Sequence, residues 1–200
     1  MNKLELPIEK KSVLEVGSGP GLLTPFFTEK GCKTLSLEGR KENVDAFKIN
    51  NPKSDVMLFD CESSDWSSIK QADICFCYSL LYHLSKPTEF LENVSTKVKE
   101  FIIIETAISN GKSYDSINIV DKSKGDYAQA LNGLGCRPTR KYLWDTLKSI
   151  YPYVYMPLFQ PNHEDFLKSY TNDRTQRMII IWSYIPFNNL LLSDSFVESY

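Results

Sequence analysis

The first half of the chain alternates short apolar runs with amphipathic stretches. Five runs, VLEV (13–16), TLSL (34–37), VMLF (56–59), ICFCY (74–78) and FIIIE (101–105), are rich in β-branched and aromatic residues. Several are apolar at nearly every position, which suits a strand buried on both faces. The stretches between them have helical spacing. Leu22 to Lys30 is closed by Gly31, and Glu42 to Ile49 by Asn50-Asn51-Pro52. Thr88 to Lys99 places Phe90, Leu91, Val94 and Val98 on one side. Strand and helix in alternation imply parallel pairing through right-handed crossovers. The pattern predicts a doubly wound α/β fold of Rossmann-like type.

The second half reads differently. Ser109 to Gly135 is polar and glycine-containing, with a helix expected near Tyr127 to Leu134 and another over Thr139 to Ser149. YPYVYMP (151–157) and RMIIIWSY (177–184) read as two late strands. The stretch between them is too short for a clear crossover helix, so they form a hairpin with a long loop. Together the runs predict a mostly parallel seven-stranded sheet with an antiparallel C-terminal strand. Residues 1–200 are read as one domain: 12–106 a ligand-binding half, 107–200 a second half facing any other reactant.

Composition adds limits. Hydrophobic residues make up 42% and charged residues 24%, enough apolar material for a core, and the net charge is -2. A general nucleic-acid binder carries a basic excess, so RNA and DNA are disfavoured, although Lys112, Lys122, Lys124, Arg137, Arg140 and Lys141 could form a local patch. The five cysteines show no disulfide framework, which suits a reducing compartment. Cys75 and Cys77 lie two apart, without metal-site spacing, and read as packed thiols. MNKLELPIEKK is no export leader, and no apolar run reaches membrane length, so a cytoplasmic protein without a membrane partner is expected.

Candidate chemistry sits at the strand ends, where ligands bind in open α/β sheets. After VLEV comes GSGPG, with glycines at 17, 19 and 21. A dinucleotide turn would need a glycine at position 22, which is Leu22. Glu38 ends the second strand and can accept hydrogen bonds from both hydroxyls of a ribose. Asp60 ends the third and can accept from an adenine amino group, with a neighbouring N–H for the ring nitrogen. The three elements trace an adenosine. NAD(P) competes, with Arg40 available to a ribose phosphate, but the absent glycine argues against it.

LEVGSGPGLLT, LSLEGR, MLFDCES, CYSLLYHL and FIIIET resemble the successive motifs of class I S-adenosylmethionine-dependent methyltransferases, over about residues 12–106. The resemblance implies S-adenosylmethionine as cofactor, with Glu15, Gly17, Ser18, Gly19 and Gly21 around its methionine portion. It places Glu38 and Gly39 at the ribose, Asp60 and the Cys61 backbone at the adenine, and Tyr78 near the sulfonium. SLLYHL is similar to a GxLYH stretch of some methyltransferases acting on small molecules or modified tRNA bases, with Ser79 in place of the usual glycine. His83 is then the candidate general base, its pKa range suiting proton transfer near neutrality. Tyr82, Arg137, Arg140 and His163 are candidates on the acceptor side, the two arginines at a helix start.

Methyl transfer from a sulfonium needs neither metal nor covalent nucleophile, so no metal is expected. The implied activity is transfer to a small-molecule or sugar-like acceptor by in-line displacement. Methylation of an RNA base or a protein, or a catalytically inactive scaffold or activating subunit, are the alternatives. GLGCRPTRKYLWDTL and YPYVYMPLFQPNHEDF resemble the C-terminal half of an uncharacterised branch of the same superfamily. About a dozen residues precede the first strand, where many relatives carry covering helices. The insertion 107–135, a homodimer mate or a partner subunit would have to cover the site, or it stays open to a large acceptor.

Overall fold

The computed structural model describes residues 2–109, 117–121, 130–166 and 176–198. The five runs of the first half form β1 (Ser12–Val16), β2 (Lys33–Glu38), β3 (Asp55–Leu58), β4 (Ala72–Tyr78) and β5 (Val98–Ile108). They lie in the order β3-β2-β1-β4-β5, every pair parallel. The winding direction reverses between β1 and β4, and this switch point opens a crevice beyond their carboxyl ends.

The late hairpin forms as expected. β8 (Tyr153–Pro157) pairs antiparallel with β9 (Gln176–Ser183), and β9 inserts antiparallel beside β5. An eighth strand, β10 (Leu192–Ser193), pairs with β8 at the edge, so among the described residues the sheet has eight strands where seven were expected. Two residues are too few to carry a periodic signal. β6 (Ile117–Asp121) and β7 (Leu134–Pro138) form a separate antiparallel ribbon within the polar insertion.

The helices differ from expectation mainly at their ends. α1 (Thr24–Thr28) is shorter than Leu22 to Lys30. Five residues are too few to hold a helix by propensity. It is held by Phe27, fully buried, whose burial contributes roughly 1.5–3 kcal/mol. α2 (Lys41–Asn50) falls where expected. α3 (Pro87–Ser95) stops before Val98, because Val98 pairs with Ala72 and opens β5. Of the helix expected at Tyr127 to Leu134, residues 127–129 lie outside the described residues. Residues 130–133 form a turn ending at Gly133 (φ +75°), and Leu134 starts β7. α4 (Arg140–Ile150) is capped by Thr139, whose hydroxyl accepts from the Tyr142 N–H at 3.2 Å.

Strand residues alternate between two cores. Leu14, Cys75, Cys77, Ile102, Ile104 and Trp182 face α3 and α4, joining Phe90, Leu91, Leu143 and Leu147. Val13, Ile74, Phe76, Ile103 and Ile181 face the other way, joining Phe27 and the N-terminal Leu4, Leu6 and Ile8. Among the described residues, no helix is long and apolar enough to cross a membrane.

Candidate active site

The glycine turn is stitched to β2, since Gly17 and Ser18 both donate to the Leu37 carbonyl at 2.8 and 3.2 Å. All three of its glycines have positive φ. A side chain at Gly21 would begin 2.4 Å from the Phe47 ring and the Asn51 amide, and one at Gly17 2.8 Å from Leu80. Those two let the turn press against α2 and the end of β4. Gly19 is different: among the described residues, nothing lies within 4 Å of where its Cβ would stand. That space opens into a cavity of 260 Å³ at the switch point.

Glu38 stands at the wall of this cavity, 7% exposed. Its Oε2 accepts from the Gly19 N–H at 2.8 Å; its Oε1 accepts from the Arg40 N–H at 2.9 Å and from Asn43 Nδ2 at 3.3 Å. Gly39 also lines the cavity, with Leu131 lying over it. Asp60 is exposed at the rim, and its Oδ1 accepts from the Glu62 N–H at 2.9 Å. Cys61 is buried beside it, with Phe59 and Leu84 as apolar walls. Glu62 accepts from the Ser85 N–H (2.7 Å), Ser85 Oγ (2.6 Å), the Lys86 N–H (3.1 Å) and Asn132 Nδ2 (2.9 Å). Burial alone would raise the pKa of Glu62, but these donors outweigh it and hold the carboxyl below its usual range. The end of the polar insertion thus reaches the rim through Leu131 and Asn132.

Glu15 lies beneath the turn rather than in the cavity wall, 2% exposed. Its Oε2 accepts from Thr24 Oγ1 at 2.7 Å and Ser36 Oγ at 2.8 Å, tying α1 and β2 to β1. Burial pushes its pKa up despite both hydroxyls.

Tyr78 turns toward the α1 side of the sheet, its ring stacked on Phe76 at 5.5 Å. Burial, then the Glu105 charge, pushes its pKa up. Ser79 and Leu80 are the residues of this strand end that enter the cavity. Ser79 has φ +57°, a left-handed conformation that glycine adopts without penalty. Its N–H and Oγ donate to Glu105 Oε2 at 2.9 and 3.0 Å. Arg177 closes the cluster. Its Nη1 donates to Glu105 Oε1 (2.8 Å) and to Ser79 Oγ (2.9 Å), and its Nη2 to the Tyr82 hydroxyl (3.0 Å). Burial would lower the Arg177 pKa, but the fully buried Glu105 carboxylate outweighs it and the net shift is upward.

Tyr82 and His83 belong to a 3₁₀ turn, Leu81–His83, and both line the cavity. Their rings are 4.1 Å apart, and the guanidinium carbons of Arg137 and Arg177 lie 5.1 and 5.0 Å from the Tyr82 ring centre. Arg137 is on β7 rather than at a helix start; its Nη1 donates to the Cys136 carbonyl at 2.8 Å, and burial lowers its pKa. Arg140 heads α4, 7% exposed, and is not in the cavity wall. His163 is an exposed loop residue. Its Nδ1 lies 3.6 Å from Asp165 Oδ2, itself 3.6 Å from Arg177 Nε, so it meets the cluster only at its outer edge.

Of the residues singled out in the sequence, Gly17, Gly19, Glu38, Gly39, Asp60, Cys61, Tyr82 and His83 line one cavity; Glu105 and Arg177 were not among the candidates. A signal for them existed. Each is the charged end of a long apolar run, FIIIE and RMIIIWSY, on strands that pair antiparallel.

Three adjacent strand ends therefore offer an open glycine cradle, a buried carboxylate presented to the cavity, and a rim carboxylate beside a backbone turn. Residues 14–100 match a family described as a methyltransferase domain. A ubiquinone biosynthesis O-methyltransferase of Coxiella burnetii is 23% identical over 153 residues, covering 70% of this chain. The chain spans 63% of the length of that relative. Among solved structures, the N-terminal domain of EvdMO1, determined with S-adenosylhomocysteine and D-fucose, matches with a TM-score of 0.70 at 20% identity, covering 86% of this chain and 75% of that one. The Burkholderia thailandensis 1,6-didemethyltoxoflavin-N1-methyltransferase, with bound 1,6-didemethyltoxoflavin and S-adenosylhomocysteine, matches with a TM-score of 0.60 at 14% identity, covering 88% of this chain and 71% of that one. At these identities the structural likeness is one of fold. With the motifs in order on the strand ends that this fold requires, residues 14–100 resemble a methyltransferase domain, and the fold is shared with solved S-adenosylmethionine-dependent methyltransferases.

Proposed function

We propose that this chain transfers the methyl group of S-adenosylmethionine to a small-molecule or sugar-like acceptor by in-line displacement. The observation that carries the reading is the Glu38 carboxylate, buried at the cavity wall and bonded to the Gly19 N–H of the open glycine cradle. The residues fit the cofactor. Glu38 would accept the ribose hydroxyls, Asp60 the adenine amino group, and the space over Gly19 would take the methionine portion. When bound, the cofactor supplies a methyl group already activated on a sulfonium.

The chain's own work is then to place the acceptor and remove its proton where needed. His83 lines the cavity next to Tyr82 and is the candidate for that proton. A small acceptor is supported by the company the fold keeps: its likenesses include proteins named for ubiquinone biosynthesis and for a didemethyltoxoflavin, and one determined with D-fucose.

Calorimetry with S-adenosylmethionine should show binding that Glu38→Ala weakens about tenfold to a hundredfold, the loss of one or two hydrogen bonds to a charged group. Unchanged affinity in that variant removes the cofactor assignment. Methyl-labelled cofactor given to fractionated cell extract should label the small-molecule fraction. Label confined to RNA or protein overturns the acceptor class, and full turnover by His83→Ala removes the proton-transfer role.

A further inference from the structure

A second hollow lies beside the site and is used by nothing described so far. It measures 800 Å³ and is walled by Leu4, Leu23, Phe26, Phe159, Gln160 and Ile179. That volume is within the range of roughly 300–1,000 Å³ in which small organic ligands bind. Its position ties it to the reaction. Leu23 flanks the start of α1, directly after the glycine turn. Ile179 pairs with Glu105, and Glu105 with Tyr78, so the groove floor shares one rung of the sheet with the acceptor-side cluster.

The groove carries one donor in need of a partner. Gln160 Oε1 accepts from the Ile179 N–H at 3.2 Å, which fixes the amide's orientation, because only its oxygen can accept. Its Nε2 is buried and has no hydrogen-bond partner among the described residues. A buried unpaired N–H costs about 1–3 kcal/mol, and such a group in a ligand-sized groove is what an incoming oxygen would satisfy.

We infer that this groove holds the apolar part of the acceptor, an oxygen-bearing compound with an alkyl or aryl portion, and that Gln160 Nε2 donates to its oxygen. The inference rests on the methyltransferase reading above. Leu23, Phe26 and Phe159 take the apolar portion out of water, and Gln160 sets its direction.

The test uses the full chain saturated with S-adenosylhomocysteine, so that the cofactor cavity is filled. It is titrated by calorimetry with para-alkylphenols from para-cresol to para-hexylphenol. Affinity should rise about threefold to fourfold per methylene until the groove is full. Leu23→Glu and Phe159→Glu, at positions already partly exposed and outside the cofactor cavity, should flatten that rise while S-adenosylhomocysteine affinity stays as it was. Gln160→Glu keeps the acceptor for Ile179 and removes the donor; it should weaken every phenol about threefold to tenfold and leave the slope on chain length unchanged. A flat series, or a rise that survives both glutamate variants, overturns the inference. Failure of S-adenosylhomocysteine to bind sinks the methyltransferase site itself, whereas binding with a flat phenol series sinks the groove alone.

Discussion

The switch-point cavity and the Glu105–Arg177 cluster meet at the end of β4, yet they are held together in opposite ways. In the cavity, Glu38 is held by neutral N–H donors 19, 2 and 5 residues away. In the cluster, Arg177 reaches partners 72, 98 and 95 residues away, and its main partner is the fully buried Glu105. Neutral donors beside a solvent-filled cavity can be exchanged for the hydroxyls of a ligand. A charge with no access to water cannot give up its counterion. One carboxylate is arranged to change partners and the other to keep them.

The largest effect should therefore come from breaking the fixed pair. Glu105→Ala leaves Arg177 half-buried beside an apolar side chain and frees the left-handed Ser79 from both of its bonds to the carboxylate. We expect a loss of roughly 3–5 kcal/mol in urea unfolding, the usual cost of orphaning one member of a buried pair. Glu38→Ala should cost about 1 kcal/mol or less, because water in the cavity can satisfy the released N–H groups, while weakening cofactor binding about tenfold to a hundredfold. Equal losses in the two variants would erase the distinction.

The glycine turn allows a finer version of the same contrast. Gly21→Ala puts a methyl 2.4 Å from the Phe47 ring at φ +77°, so strain and overpacking add, and at least about 2 kcal/mol of stability should go. Gly19→Ala meets nothing within 4 Å among the described residues and should cost only about 1–2 kcal/mol for its φ. Its methyl projects into the cavity, so cofactor affinity should fall at least about tenfold. Thermal melts and calorimetry on both variants separate the two roles. The pair is misread if Gly21→Ala melts like wild type.

The same division explains what could be read from the chain. The parallel strands announced themselves because burial on both faces makes a run apolar throughout, as in ICFCY. The polar strand ends followed from strand order alone, so Glu38, Asp60 and His83 could be brought to one crevice. Glu105 and Arg177 were each marked as the charged end of an apolar run, but their meeting depends on β9 entering antiparallel beside β5, and the runs do not say which strands are neighbours. The ribbon of β6 and β7 was hidden in a polar segment. α3 was read too long because Val98 fits a helical face as well as it fits the strand that claims it. Ser79 stood out as a departure from glycine, and its left-handed backbone held by Glu105 gives the reason.

Glu15 tests the contrast most gently, being a carboxylate that neither faces a cation nor opens to the cavity. Burial raises its folded pKa above the ordinary value of 4.5. The neutral form is therefore the one that folding favours. Its contribution to stability is fully present below the ordinary pKa and is lost as the pH rises through the folded value. Above the folded value the charged carboxylate is buried with the Thr24 and Ser36 hydroxyls as its donors among the described residues. Glu15→Gln keeps an oxygen for both hydroxyls and carries no charge. Its unfolding free energy should thus exceed that of wild type near pH 7, and the gap should close as the pH falls toward 4.5. Urea unfolding across that interval reads it directly. A variant that loses stability near neutrality, with the loss shrinking in acid, would mean that the ionised carboxylate is stabilised in the fold, and that Glu15 belongs with Glu105 rather than apart from it.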